Sequence, residues 1–142
     1  MEYFCAYQDR CHKETLQKLR ELRMIPEAID QIMAHLIQEN YLNEERFAKS
    51  FAQGKFNIKK WGKNRIVNEL KQRNISVYNI KSALAEIDEN AYLATFNNLA
   101  EKRVATLKNG TGQQRRKKLV DYLLYRGWEP QLVYEKVEEL LG

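Results

Sequence analysis

The chain has 142 residues, 44% of them hydrophobic and 30% charged, which is too apolar a balance for a disordered chain. Its length fits one compact domain or a short array of repeats. The formal net charge of +5 at pH 7 favours acidic partners. With only two prolines and six glycines, the composition favours helix almost throughout.

The start of the chain lacks the basic segment and apolar core of a signal peptide. The longest apolar run, Tyr3 to Tyr7, has five residues, whereas a membrane span needs about 20. Cys5 and Cys11 are fewer cysteines than a small secreted scaffold usually carries. We therefore expect a soluble, cytoplasmic protein with reduced thiols.

One hydrophobic pattern occurs three times and predicts an all-α fold of three tandem three-helix repeats. In each copy, apolar residues are separated by 5, 5, 4 and 3 positions. The steps of 4 and 3 lie on one helix face, whereas the steps of 5 bridge a turn. The copies are Leu19, Met24, Ile29, Met33 and Leu36; Leu70, Ile75, Ile80, Leu84 and Ile87; and Leu123, Trp128, Val133, Val137 and Leu140. The predicted units cover residues 1–40, 41–88 and 89–142.

A further helix precedes the repeated pattern in each unit. In the first unit only Met1 to Asp9 is free for it, so this helix is short. We predict the others over residues 44–56 and 89–107, the latter followed by a loop at Lys108–Gln113. Their apolar stripes are Phe47, Ala48, Phe51 and Ala52 in the second unit, and Leu93, Phe96, Leu99 and Ala100 in the third.

Turn residues support the same helix pairs. Asn74 and Gly127 suit the left-handed position that follows a helix. Ser76 can cap the helix after it, and Pro26 and Pro130 suit a first helical turn.

Charge is concentrated in the middle of the chain. Residues 1–45 hold five basic and nine acidic side chains, residues 46–73 hold nine basic and one acidic, and residues 102–118 hold seven basic and none acidic. The second helices of units two and three open within these basic stretches, the former at Lys59. Free N–H groups at a helix start attract anions, so we predict a phosphate-attracting surface with few acidic partners nearby.

The candidate residues for binding nucleic acid or an acidic protein follow from this placement. They are Arg46, Lys49, Lys55, Lys59, Lys60, Trp61, Lys63, Arg65, Lys71, Arg73, Arg115, Arg116, Lys117 and Lys118. The alternative interpretation is a solvated face that keeps the protein soluble. Trp61 is either a staple packed on the following helical turn or a side chain that stacks on a base or enters a partner.

The sequence predicts no catalysis, no cofactor and no metal. Cys5, Cys11 and His12 fall short of a four-ligand zinc set, and His35 is distant in sequence. Glycine-rich phosphate loops, nucleophile elbows and paired acid–base groups are absent from the sequence.

Two segments resemble motifs of the RecX family of regulatory proteins: YLNEERFAKSF at Tyr41–Phe51 and KKWGKNRIVNELKQRNI at Lys59–Ile75. The family motifs are G-Y-L-[DN]-[DE]-x-R-[FY]-A and K-x-x-G-x-x-[RK]-[IL]-x-x-E-L. The matching residues are Tyr41, Leu42, Asn43, Glu45, Arg46, Phe47 and Ala48, then Lys59 or Lys60, Gly62, Arg65, Ile66, Glu69 and Leu70. Asn40 stands where the family usually has glycine.

The resemblance implies an elongated, curved array of three three-helix units that is not an enzyme. It implies a protein that binds the RecA–DNA filament in its helical groove and inhibits strand exchange and coupled ATP hydrolysis. The expected partners are the RecA filament and single- or double-stranded DNA, bound weakly and without sequence preference, and we expect a monomer.

Two other functions stay open. A stand-alone helix–turn–helix-like DNA-binding regulator would read base edges with the third helix of a unit. Those helices are poorly suited to this, since SVYNIKSALAEID ends acidic and EPQLVYEKVEEL is acidic along its length. The third possibility is a helical adaptor for another acidic protein.

Overall fold

The computed structural model contains nine α-helices and no strand, which confirms the all-α class. The helices are α1 (Glu2–Tyr7), α2 (His12–Glu21), α3 (Pro26–Gln38), α4 (Glu44–Gly54), α5 (Lys63–Gln72), α6 (Val77–Ala85), α7 (Glu89–Thr106), α8 (Gly112–Tyr125) and α9 (Pro130–Leu141). A π-helical turn at Lys55–Lys59 continues α4. None of the helices combines the length and the apolarity that crossing a bilayer requires.

The second and third helices of each set are joined by the same kind of turn. The residue after the first helix of the pair is left-handed, with φ of 57° at Arg23, 60° at Asn74 and 91° at Gly127. The next N–H then donates back to a carbonyl five residues earlier, a geometry that satisfies helix-end carbonyls. These bonds are Met24 to Leu19 (3.4 Å), Ile75 to Leu70 (3.1 Å) and Trp128 to Leu123 (3.2 Å). The left-handed positions predicted at Asn74 and Gly127 are confirmed, and Arg23 occupies the third.

The caps follow the sequence expectations. Ser76 accepts a hydrogen bond from the N–H of Asn79, and Asn43 caps α4 through the N–H of Arg46. Pro26 and Pro130 stand at the first positions of α3 and α9. Each of these ends satisfies or removes a helix-terminal N–H.

The repeated hydrophobic pattern forms the core. Four residues of each copy are buried, and the fifth, Met24, Leu84 or Leu140, is half-buried. In the additional helices Phe47, Ala48 and Ala52 of α4 and Phe96 and Ala100 of α7 are also buried, whereas Phe51, Leu93 and Leu99 are half-buried.

The core has two parts. One cluster of 20 buried residues comprises Cys11, the N-cap of α2, and 19 residues of the α4–α9 region. A second cluster of six consists of five residues of α1–α3 and Leu42. Trp128 is fully buried in the larger cluster, with its ring 4.6 Å from that of Tyr92 and 5.2 Å from that of Phe96. Because Cys11 and Leu42 each pack across the proposed division at residue 40, the exact unit boundaries stay a prediction.

Candidate partner and nucleic-acid interface

The predicted basic helix start at Lys59 is wrong in position. The π-helical turn continues α4 to Lys59, and Lys60 then takes a left-handed conformation with φ of 59°. Helix α5 begins only at Lys63, after Gly62 as N-cap. Lys59 and Lys60 therefore end a helix, where positive charge is favourable, and the Lys60 Nζ donates to the carbonyl of Asn57 at 2.8 Å.

The start of α5 is also not a free anion site, contrary to the sequence prediction. The N–H of Lys63 donates to the hydroxyl of Tyr92 at 2.8 Å. The N–H groups of Gly62 and Asn64 donate to the carbonyls of Arg126 and Gly127, at 2.8 and 2.9 Å. These N–H groups bind other parts of the chain, so the first turn of α5 is an internal joint against the α8–α9 turn.

Gly62 is required by the closeness of this joint. A Cβ on Gly62 would lie 2.4 Å from the Gly127 oxygen and 2.5 Å from the Trp128 nitrogen. Its φ of −79° is accessible to any residue, so the constraint is purely steric. The glycine of the K-x-x-G motif therefore permits packing between helices that are distant in sequence.

Tyr92 supports the same joint from α7. It is 1% exposed, accepts from the N–H of Lys63 and donates to the carboxylate of Glu129. Burial and the bond to Glu129 raise the pKa of Tyr92, so its hydroxyl stays protonated. One buried hydroxyl thus connects the start of α5 with the N-cap of α9.

At the start of α8 the chain follows the prediction more closely. The helix begins at Gly112, and Thr111 and Gln114 form a reciprocal capping box, with bonds of 3.1 and 3.0 Å. Arg115 donates through Nε to the carbonyl of Leu107 at 2.7 Å, which fixes it to the end of α7.

The predicted shortage of acidic partners is wrong. Five of the candidate cations lie within 4 Å of a carboxylate, and three of those carboxylates, Asp9, Glu86 and Glu89, belong to other segments of the chain. The pairs are Arg46–Asp9 (2.6 Å), Lys49–Glu45 (2.9 Å) and Lys49–Glu86 (3.4 Å), Lys63–Glu89 (3.2 Å), Arg73–Glu69 (2.9 Å) and Lys117–Asp121 (2.7 Å).

Arg46 shows what such a cation does in the fold. Besides its bond to Asp9, its guanidinium donates to the carbonyls of Asn40 and Tyr41, at 3.0 and 3.2 Å. It thereby ties α4 to the chain that enters it and to the α1–α2 turn. Its structural bonds leave little of the guanidinium for a ligand.

Several other candidates form a cation–aromatic belt, which we define as Phe51, Lys55, Trp61, Arg65, Arg73 and Tyr125. The Arg65 guanidinium carbon lies 4.2 Å from the Trp61 ring centroid and 4.8 Å from that of Tyr125. The Phe51 ring meets Trp61 edge-on at 6.4 Å and lies 4.7 Å from the guanidinium carbon of Arg73. Lys55 Nζ lies 5.5 Å from the Phe51 ring and 5.2 Å from that of Trp61.

Trp61 is half-buried in this belt. Arg65, in the first turn of α5, covers its ring, as the staple interpretation predicts. Contact with a base or a partner stays a prediction for Trp61. Tyr125 was missed by sequence reasoning, although it is 73% exposed and extends the belt onto α8.

Four candidate lysines are exposed and have no carboxylate within 4 Å: Lys59, Lys60, Lys71 and Lys118. Arg116 is half-exposed and likewise forms no ion pair. Lys60 and Lys102 line one groove. Lys102 was also missed, although the basic stretch at residues 102–118 contains it.

The side chains that could bind a metal do not converge. The structure holds no group of three or more His, Cys, Asp or Glu side chains suited to a metal ion. Cys5 and Cys11 are free and buried, and burial raises the pKa of the Cys11 thiol to about 11.

Together, the helices and this surface define an all-α protein of consecutive three-helix units with a basic, aromatic-lined face near the joint between α5 and the α8–α9 turn. Residues 43–84 match the family model of the RecX second three-helix domain, and residues 90–137 match that of the RecX third three-helix domain. The chain belongs to the RecX family of regulatory proteins.

Similar proteins extend along nearly the whole chain. The regulatory protein RecX of Prosthecochloris aestuarii is 28% identical over 138 residues, which are 97% of this chain and 89% of that protein. The RecX of Finegoldia magna is 26% identical, over 98% of this chain and 67% of the relative. The crystal structure of RecX from Lactobacillus salivarius superposes with a TM-score of 0.80 at 24% identity, over 96% of this chain and 89% of that one, and thus shares its fold.

Proposed function

We propose that this protein binds the RecA–DNA filament and inhibits RecA recombinase and its coupled ATPase, without catalysing a reaction itself. In this way it modulates DNA repair and recombination. The observation that carries the proposal is the presence of four exposed lysines without a carboxylate within 4 Å, Lys59, Lys60, Lys71 and Lys118, in a RecX-family chain.

The division between paired and unpaired cations supports this choice. A lysine that is paired with a carboxylate gains little free energy from a contact with a phosphate. An unpaired lysine that neutralises a phosphate releases the counterions condensed on the nucleic acid, and this release favours binding. Lys59, Lys71 and Lys118 are therefore the proposed contacts with the filament, together with Lys60. Arg46 and Lys63 connect separate segments through Asp9 and Glu89, and Arg73 pairs with Glu69 at the end of its own helix, so all three act on binding only indirectly.

A tandem array suits a filament because many weak contacts over a long surface add up when they engage together. We propose that the protein acts as a monomer in the cytoplasm, needs no cofactor, and binds DNA alone only weakly and without sequence preference. Contacts with phosphates position a protein on a nucleic acid without reading its sequence. Helix α9 is acidic and therefore poorly suited to contact base edges, which agrees with binding without sequence preference.

The test is a titration of the protein into RecA ATPase on single-stranded DNA, with co-sedimentation of the filament as a second readout. We expect ATPase activity to fall as filament-bound protein rises. Absence of both inhibition and co-sedimentation contradicts the proposal.

A pair of variants tests the proposed contacts. Lys59→Gln, Lys71→Gln and Lys118→Gln together should weaken inhibition, because three unpaired charges are removed while no ion pair is broken. The matched control removes three lysines outside the candidate set, Lys18, Lys81 and Lys108, which also form no ion pair. Equal weakening by both triples would show that only net charge matters.

The alternative, a stand-alone DNA-binding regulator, predicts a different result in a DNA-binding measurement. It requires tight binding to one duplex sequence over random competitor at physiological salt, without RecA. Weak binding that is equal for all sequences and falls steeply with salt excludes it.

A further inference from the structure

A small groove lies between the turn that connects α4 with α5 and one face of α7. It has a volume of about 90 Å³ and is lined by Lys60, Thr95, Asn98, Leu99 and Lys102, and we call it the Lys60–Lys102 groove. The four α7 residues lie at spacings of 3, 1 and 3, so they share one helix face. Lys60 reaches that face from the turn between α4 and α5.

The lining of the groove contains two positively charged side chains and no negatively charged one. None of its lining residues is acidic, and neither lysine has a carboxylate within 4 Å. The single contact of Lys60 Nζ, with the Asn57 carbonyl, leaves other ammonium hydrogens free. An anion bound in the groove would lie between two lysines, with no carboxylate in the lining to oppose it.

The backbone of Lys60 is left-handed, a conformation that is unfavourable in free energy for a residue with a long side chain. Asn or Gly occupies the left-handed position that ends α3, α5 and α8, at Asn40, Asn74 and Gly127, and apart from Lys60 only Arg23, after α2, takes it with a long side chain. Asn and Gly tolerate the conformation, whereas a long side chain is disfavoured in it. A sterically disfavoured residue at a ligand-facing position is a reason to look for a function there.

We infer that the Lys60–Lys102 groove binds one backbone phosphate of a single-stranded nucleic acid. The two ammonium groups supply the charge, and the Thr95 hydroxyl and Asn98 amide are further hydrogen-bond donors in the lining. The groove is small, and four of its five lining residues are polar or charged, which suits a phosphate group and not a stacked base. This inference rests on the proposed function for the identity of the ligand and adds Lys102, Thr95 and Asn98 to the binding residues.

The test measures binding of a fluorescent oligothymidylate, without RecA, at several salt concentrations. Lys60→Gln with Lys102→Gln should weaken binding and lower the slope of log K against log salt by about 0.7, the value for one phosphate on a single strand. The control pair Lys81→Gln and Lys108→Gln removes the same charge elsewhere, and the slope should stay that of the unaltered protein. An equal loss in both pairs, or no loss in the first, overturns the inference.

A single variant separates binding from folding. Lys60→Gly should raise the melting temperature, because glycine accepts the left-handed backbone, while it weakens oligonucleotide binding. If Lys60→Gly raises the melting temperature and leaves binding unchanged, Lys60 serves only the turn and the inference fails.

Competition identifies the source of the phosphate. At equal ionic strength, inorganic phosphate and ATP should displace the oligonucleotide only weakly, because each can occupy the groove while the strand keeps its other contacts. Displacement by either one at a concentration equal to that of the oligonucleotide's own phosphates overturns the assignment to a nucleic-acid strand. The outcome is independent of RecA: a slope loss without any RecA inhibition supports the groove and refutes the proposed function, whereas inhibition with no slope loss does the reverse.

Discussion

Substituting Gly62 by alanine tests the joint between α5 and the α8–α9 turn. The added Cβ would meet backbone atoms of Gly127 and Trp128 at 2.4 to 2.5 Å, closer than van der Waals contact allows. Backbone cannot rotate away as a flexible side chain can, so the two segments must separate. Gly54 offers a matched control, because a Cβ placed there finds no atom within 4 Å and its backbone is already helical.

The size of the effect follows from what the separation breaks. Two backbone hydrogen bonds are lost, Gly62 to Arg126 and Asn64 to Gly127, at about 1 kcal/mol each. Overpacking of a close interior contact adds about 1–3 kcal/mol. We therefore expect Gly62→Ala to lower the free energy of unfolding by about 3–5 kcal/mol, out of a total on the order of 5–15 kcal/mol. Gly54→Ala should raise it by about 0.5–1 kcal/mol, because alanine loses less backbone entropy in a helix.

Urea unfolding, followed by circular dichroism at equilibrium, measures both variants, and tryptophan fluorescence reports directly on the buried Trp128 near the joint. The midpoints should move in opposite directions with similar m-values. If Gly62→Ala shifts the midpoint by no more than Gly54→Ala does, in either direction, the close approach of the two segments is refuted.

Three further predictions concern single residues. Arg23→Gly should stabilise the fold by about 0.5–1 kcal/mol in thermal unfolding, since relief of the left-handed arginine outweighs the added backbone entropy of the unfolded chain; no gain would contradict the positive φ. Tyr92→Phe should cost about 2 kcal/mol in urea unfolding, because the N–H of Lys63 and the Glu129 carboxylate both lose a buried partner. Burial raises the pKa of Cys11 from 9.0 to about 11, so stability should be unaffected by this thiol below pH 9 and should fall as pH rises from about 9 to about 11, where only the unfolded thiol ionises readily. Between pH 9 and 11 a Cys11→Ala variant should lose stability less steeply than the unaltered protein does, and part of the decline should remain because the pKa values of Cys5 and Tyr92 are also raised.

The fold was predictable because its signal is local. Spacings of 5, 5, 4 and 3 depend only on helix geometry and on one turn, and the structure buries four residues of each copy. The turn at Asn74 and Gly127 was predictable for the same reason, since few residues accept a left-handed backbone. Arg23 was not, because its side chain gives no sign of the conformation that the third copy of the same turn imposes.

The binding surface was only partly predictable because its chemistry is not local. Counting charges along the chain made the cations of residues 46–73 look unpaired, yet Asp9, Glu86 and Glu89 pair with three of them from other segments of the chain. Folding thus sorts a uniform basic stretch into structural cations and free ones. No window of sequence contains the information needed for that sorting.

The four consecutive residues 59–62 include both residues that pack in the fold and residues proposed to bind the filament. A variant in this segment can therefore change stability and binding at once. Lys59 and Lys60 are exposed at the end of the π-helical turn, whereas Trp61 is half-buried in the belt and Gly62 packs into the joint. Substituting the glycine displaces the start of α5, and Lys59 and Lys60 shift with it because they precede Gly62 directly in the chain. A loss of binding in Gly62→Ala therefore says nothing about phosphate contact, whereas a loss in Lys60→Gly, where stability rises, can come only from the missing ammonium. For this surface, substitutions that increase stability are the stronger test of function.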